Sequence, residues 1–284
     1  GTSMYAGAMA PIAMSWLLAC SCTAAVKALS IKMDFPTTLA PGAIASMSSR
    51  GYAIVPNWLP APLVHAIRQD ACALELEGLA RTAEIGNRKN GVGRYDKDVR
   101  HSSLCPLIPP PRPSAGSIDT RMLLYAAMHK LCNELNESLL TVENQLAPFQ
   151  TELAYLFYPE GGYYKRHIDV QRKDGGWNRL GRSPEDGGSF TETAVRREIS
   201  VLLYLNTQWQ SEWGGQLRIF PARESDSREE SDLDSMPVEG SLDVLPEGGT
   251  LVLLDSARVP HEVMPTRNPR QCVVGWFRTL RSKS

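Results

Sequence analysis

Five short apolar runs crowd the second half of the chain: TELAYLFY (151–158), EISVLLYLN (198–206), GQLRIF (215–220), TLVLLD (250–255) and QCVVGWF (271–277). Each has the length of a strand, is rich in aliphatic and aromatic residues, and is set off by Gly, Pro or Asp. In the first run Leu153, Tyr155 and Phe157 alternate with Ala154, Leu156 and Tyr158, so both faces of a strand there are apolar. Strands of this kind bury their faces only by stacking sheets or by covering one with helices. The first half supplies the helices. In 62–80, Leu63, Ile67, Ala71 and Leu74 form one stripe, with Pro62 suited to the first turn. In 119–146, Leu124, Met128, Leu131, Leu135, Leu139, Val142 and Leu146 step by three or four until Pro148 stops the helix. GYAIVPNWL (51–59) reads as a strand leading into the first helix, 86–100 as a loop with a short strand, and the Pro-rich 104–117 as a rigid connector. Helices first and strands after predict a mainly β, α+β domain, a sandwich with its helices packed on one sheet. The polar stretches 172–197 and 222–241 are expected to be loops.

Residues 1–33 differ in kind: they contain no Asp, Glu or Arg, and the first charge is Lys27. The apolar run 11–20 is too short for a membrane span. The segment reads as a secretory or organelle-targeting leader or a disordered tail, with Gly1-Thr2-Ser3 resembling an expression scar. Residues 34–284 are then expected to form one domain, with helical support over 50–150 and the strand core over 151–280. A net charge of −1 excludes a strong electrostatic footprint for nucleic acid or an anionic membrane. The six cysteines show neither metal-site nor disulfide-framework spacing and read as free thiols.

The chemistry-bearing stretch is FYPEGGYYKRHIDV (157–170). On a strand His167 and Asp169 point to the same face and can grip one metal ion. An imidazole and a carboxylate are two-thirds of a 2-His-1-carboxylate triad, which holds Fe(II) and leaves positions open for oxygen and a co-substrate. His261, in DSARVPHEVMP, is the best candidate for the third ligand. It lies far downstream, so only a fold that pairs distant strands can complete the set.

Together with GGQLRIFP (214–221), LPEGGTLVLLDS (245–256) and Arg270 at the head of QCVVGWF, these segments resemble the Fe(II)/2-oxoglutarate dioxygenases of the prolyl hydroxylase superfamily. The likeness is greatest to the oxygen-sensing prolyl hydroxylases that modify hypoxia-inducible factor and to their microbial and algal relatives. It covers 150–280 well and 50–150 loosely. It implies a double-stranded β-helix (jelly-roll) core, Fe(II), 2-oxoglutarate, O2, and L-ascorbate as reductant.

The far carboxylate of 2-oxoglutarate needs an anchor, and a guanidinium offers a matched fork. Arg270 shares one strand face with Cys272, Val274 and Trp276, while its rival Arg267 falls in the turn. The relatives carry Arg at this place ahead of a Trp, whereas the collagen-type prolyl hydroxylases resemble one another in using Lys. The resemblance also implies that Tyr204 hydrogen-bonds the same carboxylate, and that Tyr158 and Trp276 line the co-substrate pocket. The turn after Tyr158 is one residue shorter than in the oxygen sensors. Nucleic-acid demethylases of this superfamily carry a second Arg where Trp276 stands here, and the halogenases lack the carboxylate. The implied substrate is a prolyl residue in a protein or peptide. A small molecule or another side chain as substrate, or a non-catalytic jelly-roll binding module, remain as alternatives.

Overall fold

A computed structural model describes residues 38–87, 92–109, 111–112, 114–140, 145–170, 178–180, 193–222, 233 and 238–282. The expected leader, 1–33, lies outside them, as does most of the two expected loops.

Helix α1 (Pro41–Arg50) leads through Gly51 into strand β1 (Tyr52–Val55). Helix α2 (Ala61–Leu76) follows, with a proline in its first turn. Its predicted stripe of Leu63, Ile67, Ala71 and Leu74 is buried, and His65 is exposed. Each of the Leu and Ile side chains removed from water contributes about 1.5–3 kcal/mol. Strand β2 (Arg81–Thr82), the hairpin β3 (Ile85–Asn87) and β4 (Val92–Arg94), β5 (Arg100–His101) and β6 (Ser103–Pro106) come next. Helix α3 (Ile118–Leu139) is capped by Ser117, whose hydroxyl accepts from the Thr120 N–H at 3.3 Å.

The strand core comprises β7 (Glu152–Tyr158), β8 (Tyr163–His167), β9 (Asn178–Leu180), β10 (Thr193–Tyr204), β11 (Leu217–Ile219), β12 (Leu242–Val244), β13 (Leu251–Asp255), β14 (His261–Val263) and β15 (Arg270–Ser282). The larger sheet runs β1-β13-β10-β15-β7-β6-β2, with β9 alongside β10; the smaller runs β12-β11-β14-β8-β5. Every pairing between these strands is antiparallel. Leu202, Tyr204, Val252, Leu254 and Cys272 of the larger sheet share one core with Leu217, Ile219 and Val263 of the smaller. On the other face of the larger sheet, the Tyr155 hydroxyl donates to Asp70 on α2 at 2.7 Å. This is the double-stranded β-helix with helices against one sheet, and it explains why β7 is buried on both faces.

Three expectations need correction. Helix α3 ends at Leu139 rather than continuing to 146, and Leu140 is already extended. The Asn136 side chain donates to the Leu146 carbonyl at 3.0 Å and accepts from its N–H at 2.8 Å, an amide clamp that turns the chain back. Second, the loop expected over 172–197 contains β9 and the first residues of β10, because Thr193, Ala194, Val195, Arg196 and Arg197 continue that strand beyond its apolar run. Third, β8 stops at His167, so Asp169 lies in the bend beyond it rather than on the same strand. Among the described residues no helix is long and apolar enough to cross a membrane. Cys72, Cys105, Cys132 and Cys272 are free thiols.

Candidate active site

Strands β8 and β14 are neighbours in the smaller sheet, and His167 stands directly opposite His261. Strand pairing thus closes the long gap in sequence between them. The bend after β8 folds Asp169 back toward both rings. Its Oδ1 lies 3.6 Å from His167 Nε2 and its Oδ2 3.7 Å from His261 Nε2. One ligand atom from each residue falls within 4.8 Å of the others, the only such cluster of three among the described residues.

Both imidazoles are oriented in the same way. His167 Nδ1 lies 2.8 Å from the Lys165 carbonyl and His261 Nδ1 3.1 Å from that of Val259. A carbonyl only accepts, so each Nδ1 carries the proton and each Nε2 lone pair is directed at the site. Burial, with His261 alongside, pushes the His167 imidazole down to about 3, so it is neutral at physiological pH. Burial pushes the Asp169 carboxyl up, but His261, His167, the Ser200 hydroxyl and Arg197 outweigh it and hold the group below the ordinary carboxylate value. Two imidazole nitrogens and one carboxylate form a suitable donor set for Fe(II).

The triad opens onto a cavity of about 520 Å³ whose wall includes Leu156, Tyr158, Tyr164, Val274 and Trp276. Burial pushes the Tyr164 phenol up to about 12, so that wall presents a neutral hydroxyl. At one end the Tyr158 ring packs on Arg270, whose guanidinium carbon is 4.8 Å from the Tyr158 centroid and 5.0 Å from that of Tyr204. Arg270 is 0% exposed, and its Nε and Nη2 have no hydrogen-bond partner; neither do the Tyr204 hydroxyl and Trp276 Nε1. The remaining Arg270 contact is Nη1 to Cys272 Sγ at 3.7 Å. A buried guanidinium without an anion is costly, and two bare N–H groups beside a bare phenol suit a carboxylate. Arg267, the rival anchor, is exposed in the turn. Gly215 borders this pocket at φ +69°, where a Cβ would lie 3.3 Å from Arg270 Cδ.

Several residues at the site were not foreseen. The Ser200 hydroxyl donates to Asp169 Oδ2 at 2.5 Å and lies 2.7 Å from that of Ser256. The Tyr164 ring stacks on His167, with centroids 3.6 Å apart and planes at 20°. Arg197 lies 3.8 Å over the Trp276 ring and pairs with Glu152. Arg100 lies 4.6 Å over Tyr164. Ser200 shares strand parity with Leu202 and Tyr204, a signal that was legible. Tyr164 and Arg197 are on the wrong parity for an unbroken strand.

Fold and site together define an oxygenase scaffold: a double-stranded β-helix with a two-histidine, one-carboxylate cluster and a buried arginine behind the Tyr158 ring that lines the cavity. Residues 153–278 match the family described as the 2OG-Fe(II) oxygenase superfamily. A prolyl-4-hydroxylase from Pseudomonas putida is similar, at 27% identity and a TM-score of 0.59 over 84% of this chain and 97% of that one. A prolyl hydroxylase from Trichoplax adhaerens, solved with a peptide fragment of the hypoxia inducible factor oxygen degradation domain, is 20% identical. Its TM-score is 0.61, over 83% of this chain and 86% of that one. The carbocyclase SnoK from nogalamycin biosynthesis gives 17% and 0.52, over 84% of each chain. The last two show the fold alone. No curated protein sequence matches the chain. Residues 153–278 therefore form a 2OG-Fe(II) oxygenase domain, a 2-oxoglutarate/Fe(II)-dependent dioxygenase fold similar in structure to prolyl 4-hydroxylases. The match over 153–278 implies Fe(II), 2-oxoglutarate and O2 as the reacting set.

Proposed function

We propose that this dioxygenase hydroxylates a prolyl residue in a protein or peptide, with Fe(II) held by His167, Asp169 and His261 and 2-oxoglutarate anchored by Arg270. When bound, Fe(II) and 2-oxoglutarate supply the oxidation: O2 gives one oxygen atom to succinate, released with CO2, and the other to a substrate C–H bond, which becomes C–OH. The chain's residues prepare the site for this. Asp169 contributes the one negative charge of the ligand set, and Ser200 holds it by hydrogen bonding to Oδ2. The Lys165 and Val259 carbonyls fix the tautomers of the two imidazoles. Arg270 and Tyr204 receive the far carboxylate, while Tyr158 and Trp276 close the pocket and exclude water.

The observation that carries the co-substrate assignment is Arg270, fully buried with Nε and Nη2 bare. The prolyl reading is supported by the likeness to the Pseudomonas putida prolyl-4-hydroxylase, which spans nearly all of that protein. The reading includes L-ascorbate as the reductant that keeps the iron ferrous. It also keeps 34–284 as the enzyme domain and 1–33 as a leader, either a targeting peptide or a disordered tail.

The test is a panel of proline-containing peptides incubated with Fe(II), 2-oxoglutarate, ascorbate and O2. Mass spectrometry should find one added oxygen on proline, with succinate formed in equal amount. Succinate formed without peptide oxidation, but matched by oxidation of a small molecule, would replace the prolyl reading with the small-molecule one.

A further inference from the structure

Four arginines, Arg81, Arg100, Arg166 and Arg197, line the cavity onto which the triad opens. Three of them are accounted for. Arg81 is exposed. Arg166 donates to the Leu233 carbonyl at 2.7 Å and packs on Phe220, and Arg197 pairs with Glu152. Arg100 differs: it is 8% exposed, and no acidic side chain among the described residues is paired with it. Its polar side-chain contact is Nε to the Ser102 hydroxyl at 2.7 Å. Its guanidinium lies over the Tyr164 ring, and that ring stacks on His167. The positive charge reaches the His167 imidazole and the Tyr158 and Tyr164 phenols.

The charge balance of the loaded site makes Arg100 informative. The two positive charges of Fe(II) and the one of Arg270 are matched by the single negative charge of Asp169 and the two of 2-oxoglutarate. Arg100 is then a surplus cation, mostly desolvated and separated from an iron ligand by one aromatic ring. A buried charge without a counter-ion is destabilising unless some other ligand supplies one.

We infer that Arg100 is a specificity residue that receives a carboxylate carried by the primary substrate, beside the carbon to be oxidised. This deepens the oxygenase reading and rests on it. Ser102 fixes Nε, and Tyr164 supports the flat face of the guanidinium. The terminal nitrogens remain for a planar anion, the geometry in which Arg outperforms Lys. The carboxylate can belong to an acidic residue next to a proline or to a free acid.

The test uses the full chain with Fe(II) and 2-oxoglutarate under anaerobic conditions, with binding read by calorimetry. Two matched probe pairs distinguish the sources: Ac-Ala-Pro-Asp-NH2 against Ac-Ala-Pro-Asn-NH2, and N-acetylproline against its amide. In at least one pair the carboxylate member should bind about tenfold tighter or better. Arg100→Met should erase that preference, Arg100→Lys should restore part of it, and the 2-oxoglutarate affinity should hold in both. Absence of a preference in both wild-type pairs overturns the inference, as does a preference that survives Arg100→Met. Loss of 2-oxoglutarate binding in Arg100→Met also overturns it, since the arginine would then serve the co-substrate. Substrate-independent succinate formation in air separates this result from failure of the oxygenase reading: a carboxylate preference without any succinate keeps the subsite and removes the reaction.

Discussion

Ser200 donates its one hydroxyl proton to Asp169 Oδ2, so the neighbouring Ser256 hydroxyl, 2.7 Å away, must donate to Ser200. Both serines are 1% exposed. This relay is the support of the carboxylate ligand, and groups of this kind alter metal affinity by about 10–100-fold. Ser200→Ala is expected to raise the Fe(II) concentration needed for half-maximal succinate formation by that factor. Because the hydroxyl helps to hold the Asp169 carboxyl down, the acid limb of metal binding should also move to higher pH. An Fe(II) titration at two pH values checks both, and unchanged affinity would remove Ser200 from the site.

Arg270→Ala should raise the 2-oxoglutarate requirement by about two orders of magnitude or more, with Fe(II) binding nearly unchanged. A carboxylate left unpaired in that pocket costs on the order of 3–5 kcal/mol. Tyr204→Phe removes one neutral hydrogen bond, worth about 1–2 kcal/mol, and should be clearly milder. Arg270→Lys restores the charge without the fork and should fall between the two. Succinate formation against 2-oxoglutarate concentration, with Arg267→Ala as control, decides; a crippled Arg267→Ala beside a normal Arg270→Ala would mean the wrong arginine has been assigned.

The metal-free protein should lose stability in mild acid. His167 is held down to about 3 in the folded chain, against an ordinary value of 6.5. Between those values the unfolded chain binds the proton and the folded chain does not. Stability from this group is therefore complete above 6.5 and declines as pH falls toward 3, by at most about 1.4 kcal/mol per pH unit. Asp169 acts in the same direction, but only below 3.8. The informative measurement is a difference: melting temperatures of the apo wild type and apo His167→Gln from pH 7 to pH 5. The wild type should fall more steeply, and parallel curves would contradict the assigned protonation.

Asn136→Ala should destabilise the fold without touching the chemistry. It removes both hydrogen bonds to Leu146, whose backbone then lies against β15 with fewer partners. A loss of about 1–3 kcal/mol is expected, with the Michaelis constants for Fe(II) and 2-oxoglutarate unchanged below the melting range. A denaturant titration beside a steady-state assay checks the two halves of that statement.

What the sequence concealed lies largely at two bulges. The spatial grouping of His167 with His261 was legible because each is a histidine at the end of a short strand segment, and the burial of Arg270 because it heads an apolar strand whose alternation is unbroken. Tyr164 and His167, three apart, face one way because three residue steps on β8 lie opposite two on β14. Arg197 and Ser200, also three apart, share a face because β10 shifts register between Arg197 and Ile199. An extra residue in one strand reverses parity beyond it, and strict alternation cannot anticipate where that residue will be inserted. Asp169 was identified through the right pairing but with the wrong local geometry, since a bend rather than a strand brings it back. The end of α3 was missed for a different reason: the apolar stepping continues past Leu139, and the competing Asn136 clamp is a tertiary contact.

Each imidazole of the cluster is oriented by a carbonyl only two residues before it in the chain, Lys165 for His167 and Val259 for His261. The choice of which nitrogen faces the site is therefore written into two tripeptides, Lys165 to His167 and Val259 to His261. Substitution of neighbouring side chains leaves that choice intact so long as the backbone of each tripeptide keeps its course. The donor atoms presented to the site are thus set by main chain, which side-chain substitution does not remove.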